Sequence, residues 1–456
     1  MNWEPILADG STPVYERLAD AIERDVASGA LRAGARLPPH RDLAVRLGLG
    51  VGTVSKAYSE AERRGLVRGH VGRGSFVTAR RGAQGTAALV DFARNVPPAA
   101  PAADRLGEAL AALRGRPDLA EAATYSQVEG LPRTRAAGAA WLRGRCGVYG
   151  ATAERLIQCN GGQHGLGIAL AAAGRPGDGV MCDAATFFGM RMLADHAGYR
   201  LHAVAMDAGG MIPDSVEDVA RRTGARILYV MPTLQNPTTR TLSEARRHEI
   251  ARLAERLGLV LIEDDVYRPY ALDAPGLPTF ADLLPDRTYH VASVSKSISP
   301  GLRVGFILPP RDRHTAVARA AQAAGWSPAT LGGMIFAEWV EDGTADGILR
   351  DIVAEVRWRT ETAAKILGDA VERPAFAASP HVWLPLPVLD AERAAGRALR
   401  AGVQVTPVDA SLVDAHLASG IRLCIAAAEA EDVVRGLEVV RDALHEEIAG
   451  RSIAFV

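Results

Sequence analysis

Lysine is almost missing from this chain. Of its 52 lysines and arginines, only Lys56, Lys296 and Lys365 are lysines. Where arginine is the default cation, lysine is kept for work that a permanently charged, non-nucleophilic guanidinium cannot do. Cysteine is scarce too. Cys146, Cys159, Cys182 and Cys424 stand far apart with no Cys-x-x-Cys pair, which argues against a disulfide framework or a metal site and for buried free thiols. No run of about 18 apolar residues is present to span a membrane. Met1-Asn-Trp-Glu4 has neither the basic nor the apolar region of a secretion signal. A soluble, cytoplasmic chain with no membrane partner is the expectation. Internal repeats are absent, and the only compositional bias is toward alanine. A net charge of −1 by itself excludes no partner.

With 456 residues, 48% of them hydrophobic, the chain can build two or three domains with sizeable cores. Its charge is unevenly spread. Residues 31–81 carry eleven Lys/Arg against three acids, a local net of +8, which is the footprint of a nucleic-acid-binding face. Thr12-Pro13 is a helix start, and Val14, Leu18, Ile22 and Val26 recur at helical spacing up to a stop at Ser28-Gly29. A second helix fits Pro39 to Leu47, closed by Gly48, and a third fits Gly52 to Arg64, closed by Gly65. Leu66-Val67 and Ser75-Phe76-Val77 read as strands joined by the glycine-punctuated Gly69–Gly74. Three helices and a hairpin predict a winged helix-turn-helix whose third helix enters a major groove. Arg36, Arg41, Arg46, Thr53, Lys56 and the wing residue Arg73 would meet double-stranded DNA there, most of them on phosphates and one or two on base edges. The plainer alternative is a small helical cap with solvated arginines.

The stretch Leu31-Arg-Ala-Gly-Ala-Arg-Leu-Pro-Pro-His-Arg41-Asp-Leu-Ala44, followed by Thr53-Val-Ser-Lys-Ala-Tyr58 and Gly72-Arg-Gly-Ser-Phe76, resembles the GntR-type DNA-binding domain over residues 11–78. One position departs: Val51 stands where many such domains carry an arginine at the start of the recognition helix. Residues 79–90, small and polar without periodicity, read as a linker.

From residue 91 to 456 the pattern changes. Apolar runs Gly179–Cys182, Ile227–Met231, Leu259–Ile262, Tyr289–Val294 and Val304–Leu308 alternate with amphipathic stretches such as Ser243–Leu257. That alternation predicts an α/β domain with a mostly parallel central sheet. Ligands of such sheets bind beyond the carboxyl ends of the strands. Asn236, Asp264 and Lys296 each follow one of these runs, so all three emerge at one sheet edge.

Lys296 lies in Ser293-Val-Ser-Lys-Ser-Ile-Ser-Pro-Gly-Leu-Arg303, between a strand and a glycine-containing turn. An amine beside small hydroxyls and an arginine suits a Schiff base with pyridoxal 5'-phosphate. That cofactor also needs a carboxylate on its pyridine nitrogen, for which Asp264 is placed, and donors to its phenolic oxygen, for which Tyr267 and Asn236 serve. Its phosphate needs a cradle. Asn160-Gly-Gly-Gln-His164 opens a helix, so the amides of Gly162 and Gln163 can face an anion, with Ser293 and Arg303 beside them. Phe187 can stack on the ring. Each has a plainer reading on its own: a turn at Gly161-Gly162 or Asn236-Pro237, a solvated loop or metal pair at Asp264-Asp265, a core position for Phe187.

Taken in order, Gly161-Gly-Gln163, Gln235-Asn-Pro-Thr238, Asp264-Asp-Val-Tyr267 and Ser293-Val-Ser-Lys296 with Arg303 resemble the fold-type I aminotransferases. The resemblance implies that Arg422, in Ile421-Arg-Leu-Cys424, clamps a substrate carboxylate, a structural surface arginine being the alternative. It also implies that Tyr125 reaches the phosphate of a partner subunit. The whole chain resembles the MocR family of bacterial regulators. This implies a head-to-tail homodimer that binds operator DNA and senses an amino acid or amine by aldimine exchange at Lys296. Two other activities stay open at this point: a working aminotransferase with an accessory DNA-binding domain, and a sensor of pyridoxal phosphate itself.

Overall fold

The computed structural model describes residues 3, 5, 6, 12–27, 31, 35, 37–64, 66–70, 74–77, 89–271 and 276–450. They form two compact units, Met1–Leu89 and Val90–Val456.

In the first unit, helices α1 (Val14–Ala27), α2 (His40–Leu47) and α3 (Val51–Arg63) precede strands β1 (Val67–His70) and β2 (Gly74–Val77). The strands pair antiparallel, with Val67 opposite Val77. Leu18 and Ile22, one helical turn apart on α1, are buried against Leu43, Val54, Ala57 and Tyr58, a single apolar stripe facing one small core. The Tyr58 hydroxyl donates to the Pro38 carbonyl at 2.9 Å and so ties α3 to the entrance of α2. Gly48 caps α2 with φ +64°, a left-handed turn that glycine adopts without strain. The third helix begins one residue earlier than its sequence pattern predicts. Both strands also extend into the glycine-rich link, because antiparallel pairing continues as far as His70 and Gly74.

The second unit contains β3 (Val90–Phe92), β4 (Ile157–Cys159), β5 (Gly179–Asp183), β6 (Arg200–Val204), a small hairpin of β7 (Met206–Asp207) and β8 (Gly210–Met211), β9 (Ile227–Val230), β10 (Val260–Asp264), β11 (Thr288–Ser293), β12 (Gly305–Leu308), β13 (Val382–Pro385), β14 (Val403–Val405) and β15 (Gly420–Leu423). Seven of these form the central sheet in the order β4-β12-β11-β10-β9-β5-β6. Strands β6, β5, β9, β10 and β11 run parallel. β12 alone runs against its neighbours β11 and β4.

Successive residues of one strand enter opposite cores. Tyr229 and Ile227 join one cluster with Ile262, Leu166 and Phe306. Leu228 and Val230 join another with Leu261 and Ile250. Burial on both faces explains why these strands read as continuous apolar runs rather than alternating ones. A third core gathers Phe92, Leu384, Val403, Ile421 and Leu437. There β3 pairs parallel with β14, and β13 antiparallel with β15.

The strand limits differ from the sequence expectation by a residue or two, and one strand differs in direction. β10 runs on to Asp264 because parallel pairing with β11 continues through the Asp264–Val291 step, so Asp264 is the last strand residue rather than a loop residue. The run Val304–Leu308 holds a strand, β12, but an antiparallel one that starts at Gly305: the chain returns from β11 by a turn and not by a crossover helix. Among the described residues no helix is long and apolar enough to cross a membrane.

Candidate functional site

β9, β10 and β11 end side by side, and a cavity of about 170 Å³ opens at their carboxyl ends. Gly162, Gln163, Phe187, Asn236, Asp264, Tyr267, Ser293, Lys296 and Arg303 all line it. Residues from five separate stretches of sequence thus meet in one place.

Lys296 sits in the turn after β11. Its Nζ donates to the Asn95 carbonyl at 2.5 Å, while the Tyr270 hydroxyl holds its backbone carbonyl at 2.7 Å. Burial pushes the ammonium pKa down to about 8, with Arg422 and Arg303 pushing the same way and Asp264 opposing them. An appreciable fraction of this amine is therefore neutral near pH 7.5, as a nucleophile requires.

Asp264 is fully enclosed. Oδ2 accepts from the Tyr229 hydroxyl at 2.8 Å, and Oδ1 has no hydrogen-bond partner among the described residues. Burial raises its pKa to about 6, against the pull of Tyr229 and the Val266 amide. A buried carboxylate oxygen without a donor is costly to keep; a protonated pyridine nitrogen would satisfy it. Its neighbour Asp265 is also buried, which removes the solvated-loop reading of this pair. Among the described residues no group of three or more His, Cys, Asp or Glu could hold a metal ion.

The Tyr267 hydroxyl accepts from Asn95 Nδ2 at 2.9 Å and Asn236 Nδ2 at 3.4 Å, and burial raises its pKa well beyond the usual phenol value. Asn236 is held in turn by Arg422, whose Nη1 reaches Asn236 Oδ1 at 2.8 Å. Arg422 also contacts Thr406 Oγ1 at 2.9 Å and the Ala93 carbonyl at 3.2 Å. It is 3% exposed, so the surface-arginine alternative falls away.

The opposite wall is the start of the helix Gly162–Ala173. The amides of its first turn lack intrahelical acceptors and point outward, a ready site for an anion. Gly161 precedes them at φ +82°, and a Cβ there would lie 2.9 Å from Arg303 Nη2. Glycine is therefore needed both for the turn and for the approach of the arginine. Arg303 Nη2 donates to the Asn160 carbonyl at 2.6 Å, and Ser293 Oγ donates to Ser295 Oγ at 2.9 Å. The Gln163 side chain is committed to the Gly189 carbonyl at 2.8 Å, which leaves its backbone amide for a ligand. Phe187 packs edge-on to Phe188 with centroids 5.1 Å apart. A phosphate anchor, a lone carboxylate oxygen, a phenol and a depressed lysine fit pyridoxal 5'-phosphate group by group.

Tyr125 is not among the residues of this cavity. It is 76% exposed and packs beside Trp326, centroids 6.2 Å apart. In the first unit, Arg41, Arg46 and Lys56 are exposed and Thr53 is half-buried. Arg36 and Arg73 lie outside the described residues. Reasoning from sequence overlooked Asn95, Tyr229, His381, Thr406 and Cys424. Tyr229 was legible as the one hydroxyl in the apolar run Ile227–Met231, but the others carry no local signal.

The model of the gntR family of bacterial regulatory proteins matches residues 14–77, and that of aminotransferase class I and II matches residues 88–440. The chain belongs to the aminotransferase class I and II family. With the gntR-family DNA-binding domain in front, it has the architecture of the MocR-type regulators. It is 30% identical to the "Uncharacterized HTH-type transcriptional regulator YdeF" of Bacillus subtilis over 329 residues, 70% of each chain. It is 26% identical to the "Probable rhizopine catabolism regulatory protein MocR" of Rhizobium meliloti over 365 residues, 74% of this chain and 73% of that one. Among solved structures it resembles LysN, the alpha-aminoadipate aminotransferase of Thermus thermophilus, complexed with N-(5'-phosphopyridoxyl)-L-leucine. The TM-score is 0.71 at 25% identity, covering 79% of this chain and 93% of LysN. The aminotransferase-family unit thus carries the pyridoxal phosphate pocket, and the gntR-family unit the DNA-binding helices.

Proposed function

We propose that this MocR-type chain is a transcription regulator that reads an amino acid or another primary amine through its pyridoxal phosphate site. One observation carries the reading: groups suited to holding pyridoxal phosphate line one cavity with Lys296, in a chain that also carries a gntR-family domain. When bound, the cofactor supplies a carbonyl carbon that condenses with primary amines. Lys296 would hold the cofactor at that carbon, and an effector amine would compete with it there, the displaced lysine having the Asn95 carbonyl as its acceptor. Arg422, which reaches Asn236 Oδ1, would take the effector's carboxylate in this reading, a task its planar fork suits. In this reading residues 11–78 bind DNA, residues 79–90 link, and residues 91–456 sense.

The acting species in this reading is a head-to-tail homodimer. The apolar groove beside the cavity supports it. Pro97, Pro98, Leu106, Leu110 and Leu331 line that groove, and so do Pro300 and Arg303, which also line the cavity. A second copy seated there would close the site, and the exposed Tyr125 would be free to reach across. An effector then shifts the regulator only through unequal affinity for its two DNA-binding states.

The test is fluorescence anisotropy with DNA from upstream of the chain's own gene, against scrambled DNA at fixed salt, with and without a panel of amino acids. Specific binding that responds to one amine in the wild type and not in Lys296→Ala supports the reading. A response that survives in Lys296→Ala sinks it. The depressed pKa of Lys296 favours a second activity, transamination, since a neutral lysine can move a proton. Sustained conversion of an amino acid to its 2-oxo acid at enzyme-like rates would favour that reading.

A further inference from the structure

Asn95 lies three residues beyond β3, where the third core meets the cavity. Its carbonyl holds Lys296 Nζ at 2.5 Å, and its side-chain Nδ2 reaches both Tyr267 Oη at 2.9 Å and His381 Nδ1 at 3.3 Å. The contacts assign the His381 tautomer and the orientation of the Asn95 amide. His381 Nε2 faces the Gln235 carbonyl at 3.3 Å, which can only accept, so Nε2 carries the hydrogen and Nδ1 a lone pair. The ring stays neutral because burial pushes its pKa down to about 3, with Arg422 adding to the effect. His381 Nδ1 thus requires a donor, and Asn95 Nδ2 supplies it. This turns Asn95 Oδ1 the other way, where it is buried without a partner.

Tyr267 is constrained by the same logic. Its oxygen accepts from Asn95 and from Asn236, whose own orientation is set by Arg422. With both acceptor positions filled by amide donors, the hydroxyl can only give its hydrogen away. No protein acceptor takes it among the described residues, and Tyr267 lines the cavity.

We propose that Asn95 is a positioning residue of the cofactor site: its amide fixes Tyr267 as a hydrogen-bond donor to the cofactor's phenolic oxygen, and its carbonyl receives Lys296 when that amine is released. One residue thereby ties the phenol that tunes the bound cofactor to the lysine that exchanges on it. The inference rests on pyridoxal phosphate occupying this cavity. The charged and titratable groups around it come from several elements: Asp264 from β10, Lys296 and Arg303 from the β11–β12 turn, His381 ahead of β13, and Arg422 and Cys424 from β15 and its end. An Asn95 substitution removes a contact to His381 as well as the one to Tyr267, so the comparison in a Tyr267→Phe background assigns a change in titration to the Tyr267 contact.

The experiment is a pH titration of the cofactor's visible absorbance in the full-length, cofactor-loaded protein. A donor on the phenolic oxygen stabilises its negative charge and so favours the proton-free form. Weakening that donor in Asn95→Ala should raise the midpoint by about half a unit to one unit, the equivalent of one modest hydrogen bond. In a Tyr267→Phe background the same substitution should add nothing, because the residue it acts through is gone. Asn95→Ser serves for both measurements if the alanine variant does not fold. No shift in Asn95→Ala, or an equal shift in both backgrounds, overturns the proposal. So does loss of cofactor from Asn95→Ala but not from Tyr267→Phe, since a residue acting through Tyr267 cannot cost more than Tyr267 itself. A wild-type chain with no cofactor band fails the cofactor reading and this inference with it.

Discussion

Neutralising Asp264 tests the site in the absence of its cofactor. The carboxyl is buried, and its pKa rises from 3.8 to about 6, chiefly through burial. The native chain therefore holds this proton more tightly than the unfolded chain does. Stability from this group is complete below about pH 4, where both states are protonated. It falls as pH rises toward and through 6, because the unfolded state releases its proton first. A gap of about two units is worth about 3 kcal/mol at neutral pH. Asp264→Asn keeps an oxygen for the Tyr229 hydroxyl and cannot ionise. In urea denaturation of the cofactor-free protein, the variant should match the wild type near pH 4 and exceed it by about 2–3 kcal/mol at pH 7.5. Asp183 and Asp265, whose pKa values are also raised, are common to both proteins. A wild type–variant difference that does not change across this range would refute the assignment of Asp264 as a destabilised, ligand-awaiting carboxylate. Adding pyridoxal phosphate should reverse the ranking, since only the aspartate can pair with a protonated pyridine.

Three further outcomes are expected. Gly161→Ala must adopt φ +82° and bring a methyl within 2.9 Å of Arg303. Strain of about 1–2 kcal/mol should weaken cofactor binding about tenfold in equilibrium dialysis, and an unchanged constant would show that Arg303 has room to spare. Tyr229→Phe removes the donor to Asp264 Oδ2, so Asp264 should titrate higher still and the cofactor-free protein should lose about 1–3 kcal/mol near pH 7, read from urea midpoints. In the DNA-binding unit, Arg41→Ala and Lys56→Ala should each reduce the slope of log affinity against log salt by about 0.9 if each side chain neutralises one phosphate; a slope equal to the wild type's removes that residue from the DNA contact.

The sheet and the groups around its site were unequally visible in the sequence. The apolar runs mark strands buried on both faces, and the polar residues after them mark the cavity, because a parallel sheet sends every such residue to the same edge. Lys296 stood out by rarity, and the Gly161-Gly162 pair by the turn it makes. Asn95 and His381 could not be found this way. They come from the N-terminal segment and the C-terminal layer, and they meet Tyr267 only because β3 pairs with β14 and β13 with β15. The reversed direction of β12 was equally hidden, since an apolar run has no polarity of its own. Val51, where many GntR-type domains carry an arginine, is 45% exposed at the first position of α3.

The antiparallel return of β12 has a consequence for how this site can change. A parallel neighbour would have carried the chain away through a crossover and delivered its next residues from the far end of the sheet. Here the chain doubles back at the rim, and the Val294 amide closes the excursion on the Val304 carbonyl at 3.2 Å. Lys296 and Arg303, which reaches the Asn160 carbonyl ahead of the helix Gly162–Ala173, therefore ride on one closed loop. Lengthening or shortening it by even a residue would slide Lys296 and Arg303 relative to each other. Variation among proteins built this way should enter by substitution within the loop, and insertions should collect elsewhere.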